Sequence, residues 1–478
     1  MKNILKLLSI LFAVALFSLP SCSDEFLDVD PQTSLSTEMA IGAVADAEVA
    51  LMGIYDGMQS TQNYYAREFV VIPDVAGDDV KISPLNSGRF LSHYNYSTIP
   101  SDGFLTGFWN RAWNTIDRAN NIITRIDLIE DGTEAERNQI LGEALTLRAL
   151  AHFDLARIYA KSYAEDPSAL CIPYMEEPAI TDPARETNQV VYDKIVSDLT
   201  RAIPLLTIER AEGGWAYISE YAAKALLARV YLYMENWDMA ASTAIDVIDN
   251  GGYSLVSTEN YISGWSEEAT SETIFSLAMS NVDYSATNAL GYIYVERGYG
   301  DLLPTDDIIS LLENAGNTDP GDDVRFDAFL IWEEGKEDWF INKYPGRGGQ
   351  AGLDNTPVLR LSEMYLIAAE ALAKKATPDE NQAQTYLNAI IQRGNPDAAD
   401  FVASGENLIE RINLEKRIEF AFEGHRLFDI KRRKEDLIRG ADCTADICFL
   451  EAGHNRLAFP IPQREMDANP NMQQNPGY

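Results

Sequence analysis

Small and bulky apolar residues alternate at helical spacing through much of this chain, a pattern that commits it to packed helix pairs. The pattern is densest over residues 134–160, where GEALTLRALAHFDLARIYA places Ala144, Leu147, Ala151, Leu155 and Ile158 on one face. Alanine between the large residues lets a second helix approach closely, and a face this apolar needs one. The same spacing predicts helices over 39–58 (Val44, Ala47, Leu51, Ile54 and Tyr55), 108–129, 190–206, 219–236 and 237–249. It returns over 363–374 and 381–393, where Ala383, Leu387 and Ile390 align.

Residues 225–233 (ALLARVYLY) followed by 237–241 (WDMAA) resemble a tetratricopeptide unit, two antiparallel helices with interlocking small and bulky positions. Residues 363–393 make a second, partial copy. Between the copies the texture changes: Gly, Asn and Thr become frequent, and short β-leaning runs appear, such as Thr273-Ile274-Phe275-Ser276-Leu277 and Tyr292-Ile293-Tyr294-Val295. The expected class is mainly α, with one domain over 22–478. Its tetratricopeptide-like helix-pair scaffold covers about 37–249 and 356–440, and its loop-rich insertion with short strands covers about 250–355. A second irregular stretch, 59–107, carries seven Tyr and Phe residues, dense for a plain connector.

Three blocks near the end of the sequence stand in a fixed order: LRLSEMYLIAAEA (359–371), EKRIEFAFEGHRLFDIKRR (415–433) and FPIPQREMDANPNMQQNPGY (459–478). Together they resemble the SusD/RagB family of outer-membrane nutrient-binding lipoproteins. The resemblance implies about four helix pairs and a non-catalytic protein that captures glycans, or in some members peptides. It also implies delivery to a SusC-like TonB-dependent transporter, and a ligand surface built from the two loop-rich regions. Within the second block, Glu423, His425 and Arg426 interleave with Phe420, Phe422, Leu427, Phe428 and Ile430. Charges placed beside a core in this way are expected to pair with each other and fix packing rather than to catalyse. Pro460, Pro462, Pro470 and Pro476 predict an extended segment over 459–478.

Residues 1–21 read as a lipoprotein signal peptide. Lys2 and Lys6 precede and interrupt an apolar run that ends at Leu19-Pro20-Ser21-Cys22, a small residue before a cysteine. The run is too short and broken for a span of about 20 apolar residues. Processing would leave Cys22 first and free for acylation, and several acyl chains anchor stably. Ser23-Asp24-Glu25 resembles the surface-export signal of related lipoproteins. The expected location is the outer membrane, lipid-anchored through Cys22 and facing the cell exterior.

The formal net charge is −36, and loss of the leader would remove two lysines and no acid. Such a chain is repelled by phosphates, which excludes nucleic acid as a partner. Cys443 and Cys448 (GADCTADIC) could close a small disulfide in an oxidising compartment. Cys171 reads as a buried small hydrophobe. Neither the cysteines nor His93, His152, His425 and His454 show metal-ligand spacing, so no metal or cofactor is expected. The glycine run at 346–352 lacks the Gly-Lys-Ser/Thr ending of a phosphate loop, and GxSxG is absent. No catalytic residue is assigned.

A sugar presents flat C–H faces edged by hydroxyls, so its site needs exposed aromatic rings beside planar polar groups. Two regions combine them. The first offers Tyr64, Tyr65, Arg67, Asp79, Arg89, Tyr94 and Tyr96; the second offers Trp265, Tyr292, Tyr294 and Trp332. For any one of these aromatics, packing inside its own loop is the competing role. Two other functions stand beside glycan capture: peptide uptake and, further off, a surface glycoside hydrolase. The 74 acidic residues offer many carboxylate pairs for the latter, but the sequence singles out none.

Overall fold

The computed structural model describes residues 41–59, 63–210, 213–315 and 321–478, so the leader, Cys22 and Ser23-Asp24-Glu25 lie outside the described residues. The first helices are α1 (Val44–Met58), α2 (Glu68–Val75), α3 (Gly103–Ile123), α4 (Glu134–Tyr159), α5 (Asn188–Ala202), α6 (Glu220–Tyr233) and α7 (Trp237–Asn250). Their starts are encoded locally. Thr133 and Glu136 form a reciprocal capping box on α4, and Thr187, Ser219 and Asn236 accept backbone N–H bonds at α5, α6 and α7. Each cap contributes about 1 kcal/mol. From Gln139 to Tyr159 every residue of α4 is buried, because α3 packs on one flank and α5 on the other.

The insertion holds the short helices α8 (Thr258–Gly264), α9 (Leu290–Tyr294), α10 (Asp306–Glu313) and α11 (Val324–Phe329). Beyond it come α12 (Leu361–Lys374), α13 (Glu380–Gly394), α14 (Glu406–Glu419) and α15 (Arg426–Arg433). In space the helical array is continuous: α7 packs directly on α12, and α12 on α13 and α14. Arg229 of α6 reinforces the join with a two-pronged ion pair to Glu363 of α12, at 2.5 and 2.6 Å. The insertion leaves and returns through one neck, where β2 (Thr273–Leu277) pairs antiparallel with β6 (Thr356–Arg360).

Three other two-stranded ribbons are present. Strand β1 (Val80–Ile82) pairs with β3 (Leu302–Pro304), β4 (Leu330–Trp332) with β5 (Trp339–Ile341), and β7 (Leu437–Ile438) with β8 (Phe449–Leu450). The last pair is closed by a Cys443–Cys448 disulfide with Cα atoms 6.1 Å apart. Cys171 is buried, and burial pushes its thiol up to about 12.

Two local expectations are corrected. Residues 292–295 do not form a strand; Tyr292 to Tyr294 end α9, whose Leu290, Ile293 and Tyr294 turn inward at helical spacing while Tyr292 stays half-exposed. The terminal segment is not extended throughout, because Gln463–Ala468 forms one helical turn directly after Pro462. Proline suits a helix start, where its missing N–H has no intrahelical partner to lose. The rest of the tail is held by side-chain amides. Asn475 donates to the carbonyls of Tyr159 (2.7 Å) and Phe459 (2.6 Å), and Arg185 donates to the Gln473 carbonyl (3.0 Å) and Asn475 Oδ1 (2.8 Å).

The charged block at 415–433 is a buried ion network. Glu419 receives Arg325 (3.2 Å), Arg360 (3.0 Å) and Arg393, while Glu415 receives Arg325 (2.5 Å) and Arg411 (2.6 Å). Glu423 pairs with Arg360 (2.6 Å) and Lys343 (2.7 Å), and Arg426 grips Asp78. On α12, Glu370 pairs with Arg432 (2.7 Å) and Lys416 (3.0 Å). Burial alone would raise the Glu419 carboxyl, but Arg393, Arg360 and Arg325 hold it well below the ordinary glutamate range. Arg325 and Asp323 belong to the insertion, so this network fastens the insertion to α14. Replacing Arg325 by Ala leaves Asp323, Glu415 and Glu419 under-compensated in the core and is expected to cost about 3–5 kcal/mol. The loss would appear as a lower urea midpoint with unchanged slope; a loss below about 1 kcal/mol would refute the fastening role.

Candidate functional site

Pairing of β1 with β3 brings the two loop-rich regions together. It sets Lys81 opposite Leu303 and so lays the 83–89 loop beside residues 292–301. Asp301, fully buried, clips the loop down: it accepts from Ser87 N (2.8 Å) and Ser87 Oγ (2.6 Å), and lies 3.4 Å from Arg89. Asn86 adds bonds to the Asp301 carbonyl (3.0 Å) and the Arg89 carbonyl (3.2 Å). The Arg89 guanidinium is thereby spread over the Tyr299 ring, 3.9 Å from its centroid.

Tyr299 stands edge-on to Tyr292, with centroids 5.1 Å apart and planes at 78°. The Tyr299 N–H donates to the Tyr292 carbonyl at 2.8 Å, and a Cβ on Gly298 would sit 2.2 Å from that same oxygen, so only glycine closes this turn. The β4–β5 hairpin flanks the pair. Register places Trp332 opposite Trp339, their rings 5.5 Å apart at 69°, and Trp339 is backed by Phe326 at 5.1 Å. Trp332 is 48% exposed. Lys336 in the hairpin turn pairs with Glu296, and a Cβ on Gly300 would meet the Phe340 ring at 3.0 Å, so the hairpin touches the turn that carries the tyrosine pair. The Arg89–Tyr292–Tyr299 cluster and the Trp332–Trp339 pair therefore sit on adjoining elements.

Of the eleven residues predicted from sequence, Arg89 and Tyr292 join the Tyr299 cluster and Trp332 stands on the adjoining hairpin. Seven others are corrected to the interior. Tyr64 donates to Asp154 (2.7 Å) and stacks against Tyr65; Arg67 pairs with Glu68 (2.6 Å); Asp79 accepts from Arg417 (2.7 Å). Tyr94 and Tyr96 sandwich Arg439, and Tyr294 donates to Asp74 (2.8 Å). All seven are at most 3% exposed, which removes them from any surface. Trp265 is half-buried elsewhere, lying over Lys343 and Arg360 and lining a separate narrow cleft with Tyr261 and Thr270. Tyr299, an aromatic of the second region, and Trp339, at its end, complete these clusters. Glycines on both sides of Tyr299 mark a tight turn that must present its side chain, and Trp339 is fixed by pairing with Trp332 across the hairpin.

His152 is buried and His425 half-buried, and desolvation holds both well below the ordinary histidine value. Among the described residues no group of three or more His, Cys, Asp and Glu could hold a metal ion.

Comparison with known proteins agrees with this architecture. The model described as "SusD family" matches residues 330–478, and the one described as "Starch-binding associating with outer membrane" matches residues 25–232. A SusD superfamily crystal structure from Bacteroides thetaiotaomicron is 32% identical, with TM-score 0.82 over 91% of this chain and all of that one. The chain belongs to the SusD family. SusD-like protein P2 of Formosa agariphila is 26% identical, covering 99% of this chain and all of the relative. A laminarin-binding SusD-like protein shares the fold at 23% identity and TM-score 0.73, over 91% of this chain and 99% of its own. Among the described residues of this SusD-family protein, no helix is long and apolar enough to cross a membrane.

Beneath Tyr292 sits a buried carboxyl, Asp354. It accepts from Gly346 N at 2.6 Å, and its Oδ2 is so close to Gly291 that a Cβ there would lie 2.4 Å away. Burial pushes this carboxyl up to about 7, against the lowering effect of the Gly346 N–H and of Arg347 and Arg297. Its folded value lies above its ordinary 3.8, so its contribution to stability is fully present below that pH and is lost as pH rises through about 7. Urea unfolding of the wild type and Asp354→Asn at about pH 5 and about pH 8 should show the balance moving toward the variant at the higher pH. A pH-independent gap would contradict the assignment.

Proposed function

We propose that this SusD-family protein captures an oligosaccharide outside the cell on the Arg89–Tyr292–Tyr299–Trp332–Trp339 surface. It then passes the sugar to a SusC-like TonB-dependent transporter while anchored to the outer membrane by acyl chains on Cys22. The observation that carries the reading is the half-exposed Trp332 on its hairpin. A large aromatic face left to water there, with the Arg89–Tyr299 stack on an adjoining turn, matches the C–H faces and hydroxyl edges of a sugar. The starch-binding description of the family model and the laminarin-binding relative support a glycan as cargo.

Binding without turnover suits a delivery role. The rings are held by neighbours before any ligand arrives, so little ordering entropy is lost, and an affinity of about −4 to −8 kcal/mol (millimolar to micromolar) is sufficient for capture and release. Calorimetric titration with laminarin and starch oligosaccharides, with chromatography of the sugars afterwards, tests this. Trp332→Ala and Arg89→Ala should each weaken binding about tenfold, or about 1.4 kcal/mol, with no shortened sugars released. Unchanged affinity in both variants would move the site elsewhere, and shortened sugars would overturn binding without turnover.

A further inference from the structure

Beyond the paired Trp332 and Trp339, the β4–β5 hairpin turns through residues 333–338 and stands clear of the body. Lys336 N donates to the Glu333 carbonyl at 3.1 Å, and Gly335 takes a positive φ of 83° to close the turn. A Cβ added to Gly335 would meet nothing within 4 Å, and residues 333–338 are all exposed or half-exposed. The foot of the hairpin is better held. Phe340 is buried against Gly300, Phe326 backs Trp339, and Asn342 N donates to the Phe329 carbonyl at 2.8 Å. Main-chain pairing thus fixes the foot of the ribbon and leaves the tilt of its outer end to be set by something else.

One ion pair supplies it. Lys336 reaches across to Glu296, and among the described residues no other side-chain ion pair or hydrogen bond ties residues 333–338 to another element. Glu296 stands in the turn that carries both tyrosines, and three backbone bonds close that turn. They run from Tyr299 N to the Tyr292 carbonyl (2.8 Å), and from Gly298 N (3.0 Å) and Gly300 N (3.1 Å) to the Val295 carbonyl. The pairing is selective on both sides. Glu333, Glu334, Glu337 and Asp338 stand in the same turn as Lys336, yet none of them pairs with it. Arg297, next to Glu296, donates instead to the Pro345 carbonyl. The Lys336 and Glu296 side chains remain 41% and 29% exposed, so dissolved salt can screen them from each other.

We propose that Lys336 and Glu296 are positioning residues, whose ion pair sets the Trp332 ring against the Tyr292–Tyr299 pair and makes one sugar-binding surface of two aromatic clusters. Their role rests on the reading of these rings as the sugar site. An oligosaccharide long enough to touch both clusters gains from rings already in register. Without the pair the outer end of the hairpin is free to tilt, and the sugar has to order it on binding. An exposed ion pair is a small contribution, so its loss changes affinity a few-fold and does not abolish binding. It also gives the site a property that direct contact with an uncharged sugar would lack. Binding weakens as salt screens Lys336 from Glu296, although the ligand itself bears no charge.

The test is a double-substitution cycle read by calorimetry with laminarin and starch oligosaccharides. Its members are Lys336→Met, which keeps the aliphatic stem, Glu296→Gln, and the two combined. Each single change should weaken binding about threefold, and the combined variant also about threefold rather than about ninefold, because the second change removes a partner already lost. Sodium chloride at about 1 M, where the Debye length is about 3 Å, should weaken wild-type binding by a similar factor and leave the combined variant unaffected. Three results would each overturn the positioning role while Trp332→Ala still weakens binding: unchanged affinity in both single variants, losses that multiply in the combined variant, or a salt dependence that survives in it. Failure of the wild type to bind either sugar would instead overturn the sugar site on which the role rests.

Discussion

Everything in this structure is arranged around the burial of Glu419 among Arg325, Arg360 and Arg393. A carboxylate and three guanidiniums taken out of water carry a large desolvation cost, repaid only when every partner is present in good geometry. Each partner comes from a different element: α11, the end of β6, and α13. Satisfying one glutamate therefore requires the insertion, its neck and the second half of the helical array to be docked at once. Glu272 closes the ring by pairing with both Arg360 and Arg393 from the residue just before β2. Hydrophobic burial supplies most of the driving force for collapse; this network selects one arrangement of the collapsed pieces.

The proposed sugar site inherits its rigidity from that arrangement. Loop 83–89 and turn 292–301 are each irregular, but the β1–β3 ribbon and the buried Asp301 fix one against the other. The hairpin bearing Trp332 runs straight out of α11, which is locked by the Arg325 pairs. Rings set before the ligand arrives lose little freedom on binding, which lets a shallow and open surface hold a weakly interacting cargo.

Much of the scaffold was legible in the sequence because its signals are local. The alternation of small and bulky residues acts within a turn or two of helix, and the helices at 134–160 and 237–249 stand within a residue of expectation. The charged block at 415–433 also read correctly as structural, since its interleaving with phenylalanines implied burial and hence pairing. Site residues were harder. Tyr64, Tyr65 and Tyr294 have the same composition around them as Tyr292 and Tyr299, yet they point inward. What holds them there, Asp154 for Tyr64 and Asp74 for Tyr294, lies 90 and 220 residues away in the chain. No local pattern carries that information. Aromatic density marked the two regions that β1 and β3 bring together; only tertiary pairing sorted exposed rings from core.

The neck of the insertion has a consequence for how such a protein diversifies. Strands β2 and β6 pair through main-chain hydrogen bonds, which are indifferent to most side chains, and they deliver both ends of the insertion to one point on the array. The helices thus meet the same two strand ends whatever the tips at 281–301 and 330–341 contain, provided Asp323, Arg325 and Lys343 remain to dock. The insertion is in effect a cartridge on a standard socket. Its tips can drift, lengthen or be exchanged by recombination at the neck, while the faces that the array presents stay as they are.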